Sequence, residues 1–130
     1  MKILLATGLA DIDESLREIF HKNSTDDSEI AQMVNSFVQK NVNNGDNYFF
    51  LHQEAILLGC LLSFSRACPQ ESQTAIKDLL AFCSKEQLEE KFTKAYQAGK
   101  INYTVYDLWK MVSSSKVFDC TVMGLWSKIV

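Results

Sequence analysis

The most apolar part of the chain is the stretch 49–68, which is followed by Pro69, the only proline. Within it, residues 55–64 are all apolar except Gly59 and Ser63. A helix that is apolar on nearly every side belongs inside a helical bundle or inside a membrane. The apolar run is shorter than the roughly 18 residues that a membrane span requires. The pattern therefore predicts the buried central helix of an all-α protein.

Two amphipathic helices are predicted before this central helix. Asp11 with Glu14, and Asp26 with Glu29, have the spacing of capping boxes at helix N-termini. The apolar stripes that follow them are Ile12, Leu16, Ile19 and Phe20, and then Ile30, Met33, Val34, Phe37, Val38 and Val42. The turn cluster 43–47 ends the second helix, which runs to Val42. Residues 2–6 predict a short strand or an extended arm.

The rest of the chain continues the helical pattern. Ser84 with Gln87 predicts a capped helix that Gly99 ends in a left-handed conformation, and serines 113–115 predict a break or a new cap. The inward positions are Ile76, Leu79, Leu80 and Cys83; Leu88, Phe92, Ala95 and Tyr96; Val105, Leu108, Trp109 and Val112; and Phe118, Val122, Leu125 and Ile129. The prediction is a single domain over 1–130, a compact bundle of six or seven helices around 49–68.

Charge is distributed unevenly along this chain of net charge −3. Residues 1–47 hold four basic and eight acidic side chains, whereas residues 84–130 hold seven basic and five acidic ones. Solvated faces explain this pattern, but an acidic surface for a basic partner is the sharper hypothesis. Its candidate partner-binding residues are Asp11, Asp13, Glu14 and Glu18. The acidic balance predicts weak or no binding of nucleic acid.

The four cysteines are too far apart for a zinc site, since neither Cys-x-x-Cys nor a Cys/His cluster occurs. Buried thiols in a reducing compartment are the better interpretation, and Cys60 lies in the most apolar stretch. The N-terminal apolar run is too short for a signal peptide, and acidic residues follow it from Asp11. The sequence therefore predicts a cytoplasmic protein that does not insert into a membrane.

No motif for catalysis, cofactor binding or metal binding is found. Gly99-Lys100 lacks the first glycine and the Ser or Thr of a phosphate-binding loop. An enzyme that uses Glu54 and His52 is a minor alternative, because no second carboxylate is placed beside Glu54. A buried carboxylate must be paired or hydrogen-bonded. We therefore expect Glu54 to face water in the first turn or to bind free amide groups of a neighbouring helix.

Aromatic and lysine residues near the C-terminus allow two interpretations. Four aromatic residues are candidates for an interface, namely Tyr103, Tyr106, Trp109 and Trp126. Aromatic residues at helical spacing are, however, more often part of the core. Lysines between 85 and 100 alternate with Glu86, Glu89 and Glu90. This alternation predicts a solvated helix with ion pairs on its surface.

One motif resembles the all-α domain of type IV secretion coupling proteins, the ATPases of conjugative DNA transfer. The matching positions are Asp46, Phe49, Phe50, Glu54, Leu57, Leu58 and Phe64, followed by Pro69 and Glu71. The resemblance covers roughly residues 26–83. Gln53 departs from it, since a small residue usually precedes the glutamate, and no ATPase core or membrane anchor is present in these 130 residues.

The resemblance implies a recognition module without catalytic activity. Its partners would be a relaxase, a relaxosome accessory protein or a secreted substrate, bound at the cytoplasmic face of the membrane. The alternative is an unrelated small helical regulator or adaptor protein, either monomeric or dimeric.

Overall fold

The computed structural model describes residues 27–41, 48–68, 80 and 84–129, and these residues form α-helices joined by turns, without a strand. The helices are α1 (Asp27–Asn41), α2 (Tyr48–Ala67), α3 (Lys85–Gln97), α4 (Tyr103–Ser113) and α5 (Phe118–Ile129). The all-α prediction is confirmed for this part of the chain. No helix among the described residues is both long enough and apolar enough to cross a membrane.

Helix α2 is the centre of the bundle. It packs against α1, α4 and α5, and it also touches α3. Residues on all its sides are buried, each at most 7 % exposed: Leu51, Ala55, Ile56, Leu57, Leu58, Cys60, Leu61 and Phe64. The predicted central helix is confirmed, with its bounds shifted by one residue to Tyr48–Ala67. Burial on every side is what an apolar circumference requires in water.

Four aromatic rings join three helices of the core to α2. The rings of Phe92 and Trp109 are stacked, with centroids 4.5 Å apart and planes 10° apart. Phe64 of α2 lies 5.2 Å from Phe92, and Phe118 of α5 meets Trp109 edge-on at 5.8 Å. Such pairs contribute about 0.5–1.5 kcal/mol each beyond the burial of their area. This cluster fixes α3, α4 and the start of α5 around the C-terminal half of α2.

Helix α5 runs antiparallel to α2. Its first residue, Phe118, belongs to the aromatic cluster near Phe64, towards the C-terminal end of α2. Near its other end, Lys128 forms an ion pair with Glu54, which lies towards the N-terminal end of α2. The two helices therefore lie side by side along most of the length of α5.

The predicted helix boundaries around α3 are confirmed. Ser84 and Gln87 form a capping box, in which each side chain accepts a hydrogen bond from the other residue's backbone N–H. Gly99 has a positive φ of 73°. The Gly99 N–H donates to the Tyr96 carbonyl at 3.0 Å, and the Lys100 N–H donates to the Ala95 carbonyl at 2.9 Å. This pair of bonds is a Schellman motif, which favours glycine at the left-handed position.

Some burial predictions are wrong. Met33, expected on the inner stripe of α1, is 45 % exposed, and Tyr96, expected on the inner stripe of α3, is 36 % exposed. Both lie at the edge of an otherwise correct stripe. Leu108 and Val122 are only partly buried against the core. The side chains of Val42 and Ile129 lie outside the described set.

Other predictions concern residues that the structure does not describe. The arm or strand at 2–6 and the helix expected from Asp11 lie there. Of the helix predicted around 76–83, only Leu80 is described, and it is buried. Helix α1 ends at Asn41, one residue before the predicted end. The number of six or seven helices is not confirmed, since the described residues form five.

The burial of α2 leads to a test with Leu58, which is 7 % exposed. We expect Leu58→Ala to lower the free energy of unfolding by about 2–5 kcal/mol, because it leaves a cavity between packed helices. Leu62, one turn further along α2 and only partly buried, is the matched control. Urea denaturation should show a clearly smaller loss for Leu62→Ala. A loss below about 0.5 kcal/mol for Leu58→Ala contradicts the central position of α2.

Candidate functional site

Three tyrosines form a surface where α3 ends and α4 begins, here called the tyrosine surface (Tyr96, Tyr103 and Tyr106). The rings of Tyr96 and Tyr106 are stacked, with centroids 4.5 Å apart and planes 3° apart. Tyr103 lies 6.4 Å from Tyr96 and is 66 % exposed. The Tyr106 hydroxyl is within hydrogen-bond distance of the Thr93 hydroxyl, at 3.2 Å. Aromatic side chains of this kind are enriched where proteins bind other proteins.

The turn that carries this surface is held on both sides. The Schellman motif at Gly99 closes α3, and the Asn102 side chain accepts a hydrogen bond from the Val105 N–H at 2.9 Å to cap α4. Between the two caps, Ile101 is buried at 6 % exposure, while Lys100 is exposed. The tyrosines are therefore presented by a turn with little conformational freedom to lose on binding.

The chain segment that contains the turn carries only positive charges. Residues 91–106 contain three lysines, Lys91, Lys94 and Lys100, and no acidic residue. Lys94 forms an ion pair with Glu90 at 2.9 Å, but both side chains are about two-thirds exposed. Exposed pairs of this kind contribute only about 0–1 kcal/mol to stability. The nearest carboxylate on the α4 side is Asp107, one turn after Tyr103.

Glu89 joins α3 to α4 at the other end of the pair. Its carboxylate accepts hydrogen bonds from the Trp109 indole N–H and from the Lys110 ammonium group. Burial alone would raise the pKa of the Glu89 carboxyl, but the hydrogen bonds from Lys110 and Trp109 and the nearby positive charge lower it below its ordinary value. Lys110 also lies 5.6 Å from the centre of the Tyr106 ring.

A cleft of about 370 Å³ lies beside Glu89. Its lining residues are Lys85, Glu86, Glu89, Lys110, Ser113 and Ser114. Two lysines and two glutamates balance each other, and Lys110 is already paired with Glu89. The cleft therefore gives no electrostatic preference for an anionic or a cationic ligand.

Glu54 is buried and paired, which corrects the expectation that it faces water. Its side chain is 4 % exposed, and it accepts a hydrogen bond from the Lys128 ammonium group, which is 14 % exposed. The carboxylate also lies directly against Gly124 of α5, where an added Cβ would overlap Oε2 and stand 3.0 Å from Cδ. Removing one partner of such a pair leaves an uncompensated buried charge. The pair is therefore the ionic link between α2 and α5.

The two residues of the enzyme alternative do not form a pair. His52 and Glu54 are two positions apart on α2, so their side chains point to different sides. Burial lowers the pKa of His52, and Glu54 is bound to Lys128. Within the described residues, no three His, Cys, Asp or Glu side chains are grouped so that they could hold a metal ion. Among the described residues, the buried side-chain oxygen of Gln53 has no hydrogen-bond partner.

The predicted motif residues are divided between core and surface. Leu57, Leu58 and Phe64 are core residues, whereas Phe49 is 48 % exposed and packs edge-on against the half-buried Phe50 at 5.6 Å. Asp46 lies outside the described part of the chain. So do the candidate partner-binding residues, which are Asp11, Asp13, Glu14 and Glu18.

Sequence reasoning did not single out the tyrosine surface as a unit. It named Tyr103 and Tyr106 as candidates for an interface, but it placed Tyr96 in the core and treated the lysines as part of an ion-paired helix. One signal was available, because three lysines and three tyrosines occur between 91 and 106 without an acidic residue. Trp109 is fully buried, and Trp126 is 37 % exposed.

Comparison with known proteins gives no match: no family model, no curated protein and no solved structure is significantly similar to this chain. Its function must therefore be argued from its own residues.

The contact between Glu54 and Gly124 predicts the sign of a substitution. Replacing a mid-helix glycine by alanine usually stabilises a helix by about 0.5–1 kcal/mol. We expect Gly124→Ala to destabilise the protein instead, because the new methyl group overlaps the Glu54 carboxylate. Urea denaturation measures the change.

The control for this test is the same substitution in a Glu54→Ala background. There the obstructing carboxylate is absent, so Gly124→Ala should cost nothing or stabilise by up to about 1 kcal/mol. If Gly124→Ala stabilises the wild-type chain, α2 and α5 are not in the contact described here.

The lowered pKa of Glu89 predicts how its contribution to stability depends on pH. Since the folded-state pKa is lower than the ordinary value of 4.5, this contribution is present above that pH and is lost as the pH falls through the folded-state pKa. We expect Glu89→Gln to be less stable than wild type at neutral pH, and the difference to shrink on acidification. Urea denaturation at several pH values measures it.

Glu86→Gln, an exposed substitution on the same helix, is the matched control and should change stability little at neutral pH. A difference between Glu89→Gln and wild type that stays constant with pH contradicts the role assigned to the carboxylate.

Proposed function

We propose that this chain is a non-catalytic protein-recognition module that binds its partner through the tyrosine surface. The observation that carries the proposal is the exposed Tyr103, set beside the stacked Tyr96 and Tyr106 on a turn that is capped on both sides. A large aromatic side chain held in place loses little entropy on binding and buries much apolar area. Residues of this type dominate the binding energy of protein interfaces.

The resemblance to coupling proteins suggests which partners to test. What supports it is the helical structure around 48–67, in which the motif positions Leu57, Leu58 and Phe64 form the buried side of a central helix. In this proposal the partner is a relaxase, a relaxosome accessory protein or a secreted substrate of conjugative transfer. The acidic residues Asp11, Asp13, Glu14 and Glu18 are then a second contact for a basic partner.

A small helical regulator or adaptor is the second candidate function, and one observation favours it. Met123 is 71 % exposed and Trp126 is 37 % exposed, and they lie one turn apart on α5. Methionine and tryptophan are both enriched in interfaces, including those of homodimers. In this version the chain acts as a dimer that α5 assembles.

The test uses the purified chain on a sensor surface, with the relaxase, an accessory protein and a secreted substrate of a conjugative system as analytes. We expect at least one of them to bind, and Tyr103→Ala to weaken that binding by about tenfold, which corresponds to about 1.4 kcal/mol. Met111→Ala, which removes an exposed side chain from the other end of α4, is the matched control and should leave affinity unchanged.

The same samples distinguish the candidates. Binding that is insensitive to Tyr103→Ala rules out the tyrosine surface, and failure of all three analytes to bind rules out the conjugative partners. A dimer in sedimentation equilibrium that Met123→Lys dissociates supports the regulator or adaptor instead.

A further inference from the structure

We propose that the partner of the tyrosine surface is an acidic peptide segment of another protein, bound across the turn between α3 and α4 with its carboxylates near Lys100. This inference rests on the proposed function and adds the chemistry of the ligand. It depends on three observations: the lysines from the second half of α3 to the turn, the stacking of the tyrosine rings, and the caps that hold the turn.

The second half of α3 carries only lysines as charged residues, whereas its first half holds Lys85 together with the glutamates. Glu86, Glu89 and Glu90 lie in the first half of α3. The next acidic residue along the chain is Asp107 of α4. Glu89 is engaged by the Trp109 indole and the Lys110 ammonium group, so it is directed towards α4 and away from the turn. Between Glu90 and Asp107 the charged side chains are therefore all lysines, although the whole chain is negative.

Lys100 is the lysine best placed to meet an anionic segment. It is exposed, it follows the left-handed Gly99, and the next residue, Ile101, is buried and anchors the turn. No ion pair involving Lys100 is found among the described residues. At an ionic strength of 0.15 M a charge acts over about 8 Å, so a peptide on the turn responds to this local charge and not to the charge of the whole chain.

The stacking of the rings favours a protein ligand over single-stranded nucleic acid. Bases bind aromatic side chains by stacking on a free ring face. Tyr96 and Tyr106 already stack on each other in nearly parallel planes, which leaves Tyr103 as the tyrosine with a largely exposed ring. A nucleic acid would also extend beyond the turn over a chain of net charge −3. An acidic peptide can contact Tyr103 through an apolar side chain. It needs neither a free ring face for stacking nor a basic surface that extends beyond the turn.

The experiment is selection of a displayed library of random peptides of about twelve residues, which can extend over roughly 40 Å, on the immobilised full-length chain. We expect the selected peptides to be enriched in Asp and Glu and to contain an aromatic or aliphatic residue. A labelled selected peptide then gives affinities by fluorescence anisotropy. Lys100→Glu should weaken its binding by about fivefold, and raising the salt concentration should weaken binding to the wild type.

Lys116→Glu is the matched control, because it makes the same charge change at an exposed lysine in the turn before α5. It should change affinity by less than about twofold. Thermal unfolding of both variants should match that of wild type, since both side chains are exposed. Equal losses for the two substitutions would mean that only net charge matters, and the proposed site would be wrong.

Two further results overturn the inference. Selection of neutral or basic peptides, or of none, excludes an acidic peptide ligand, and tighter binding of a labelled oligothymidylate than of any selected peptide indicates nucleic acid. The fate of the proposed function is read separately from Tyr103→Ala. If this variant loses binding to the selected peptide or to a transfer protein while Lys100→Glu does not, the tyrosine surface stands and only the acidic ligand is wrong.

Discussion

A helix that is apolar on every side is stable in water only if other helices cover every side, and α2 imposes this constraint on the whole bundle. Helices α1, α4 and α5 each cover part of it, and α3 completes the cover through Phe92. Glu54 is the exception on this helix, because a carboxylate there cannot reach water. Lys128 and Gly124 of α5 resolve the conflict, one by supplying a charge and the other by leaving room. A buried carboxylate of α2 is thus matched by two residues of α5.

In the pair of helices α3 and α4, one end is joined to the core and the other end carries the tyrosine surface. At one end, Phe92, Trp109 and Glu89 tie the pair together and join it to the core through stacking and hydrogen bonds. At the other end, the side chains that leave the core are tyrosines and lysines, and two helix caps together with the buried Ile101 hold the turn in shape. Substitutions of exposed residues at the turn should therefore affect binding more than stability.

The regular part of the fold could be predicted from the sequence because its signals are local. The apolar run of α2, the capping box at Ser84 and the left-handed Gly99 each depend on residues within a few positions of one another. The Glu54–Lys128 pair could not be predicted, since the two residues are 74 positions apart and no local pattern links them. Tyr96 was misplaced because helical spacing gives the direction of a side chain, but not the position where the neighbouring helix ends.

The candidate site was hidden for a related reason. Alternating Lys and Glu along α3 predicts mutual neutralisation only if each glutamate stays among the lysines of its own helix. In the structure Glu89 instead reaches across to Trp109 and Lys110 of α4, where a partly buried hydrogen-bonded carboxylate contributes more than an exposed ion pair. Glu90 does pair with Lys94 on its own helix, as the alternation predicts. The contact that joins the two helices thus takes Glu89 out of the surface ion pairs, because a local charge pattern does not show which side chains can reach a neighbouring helix.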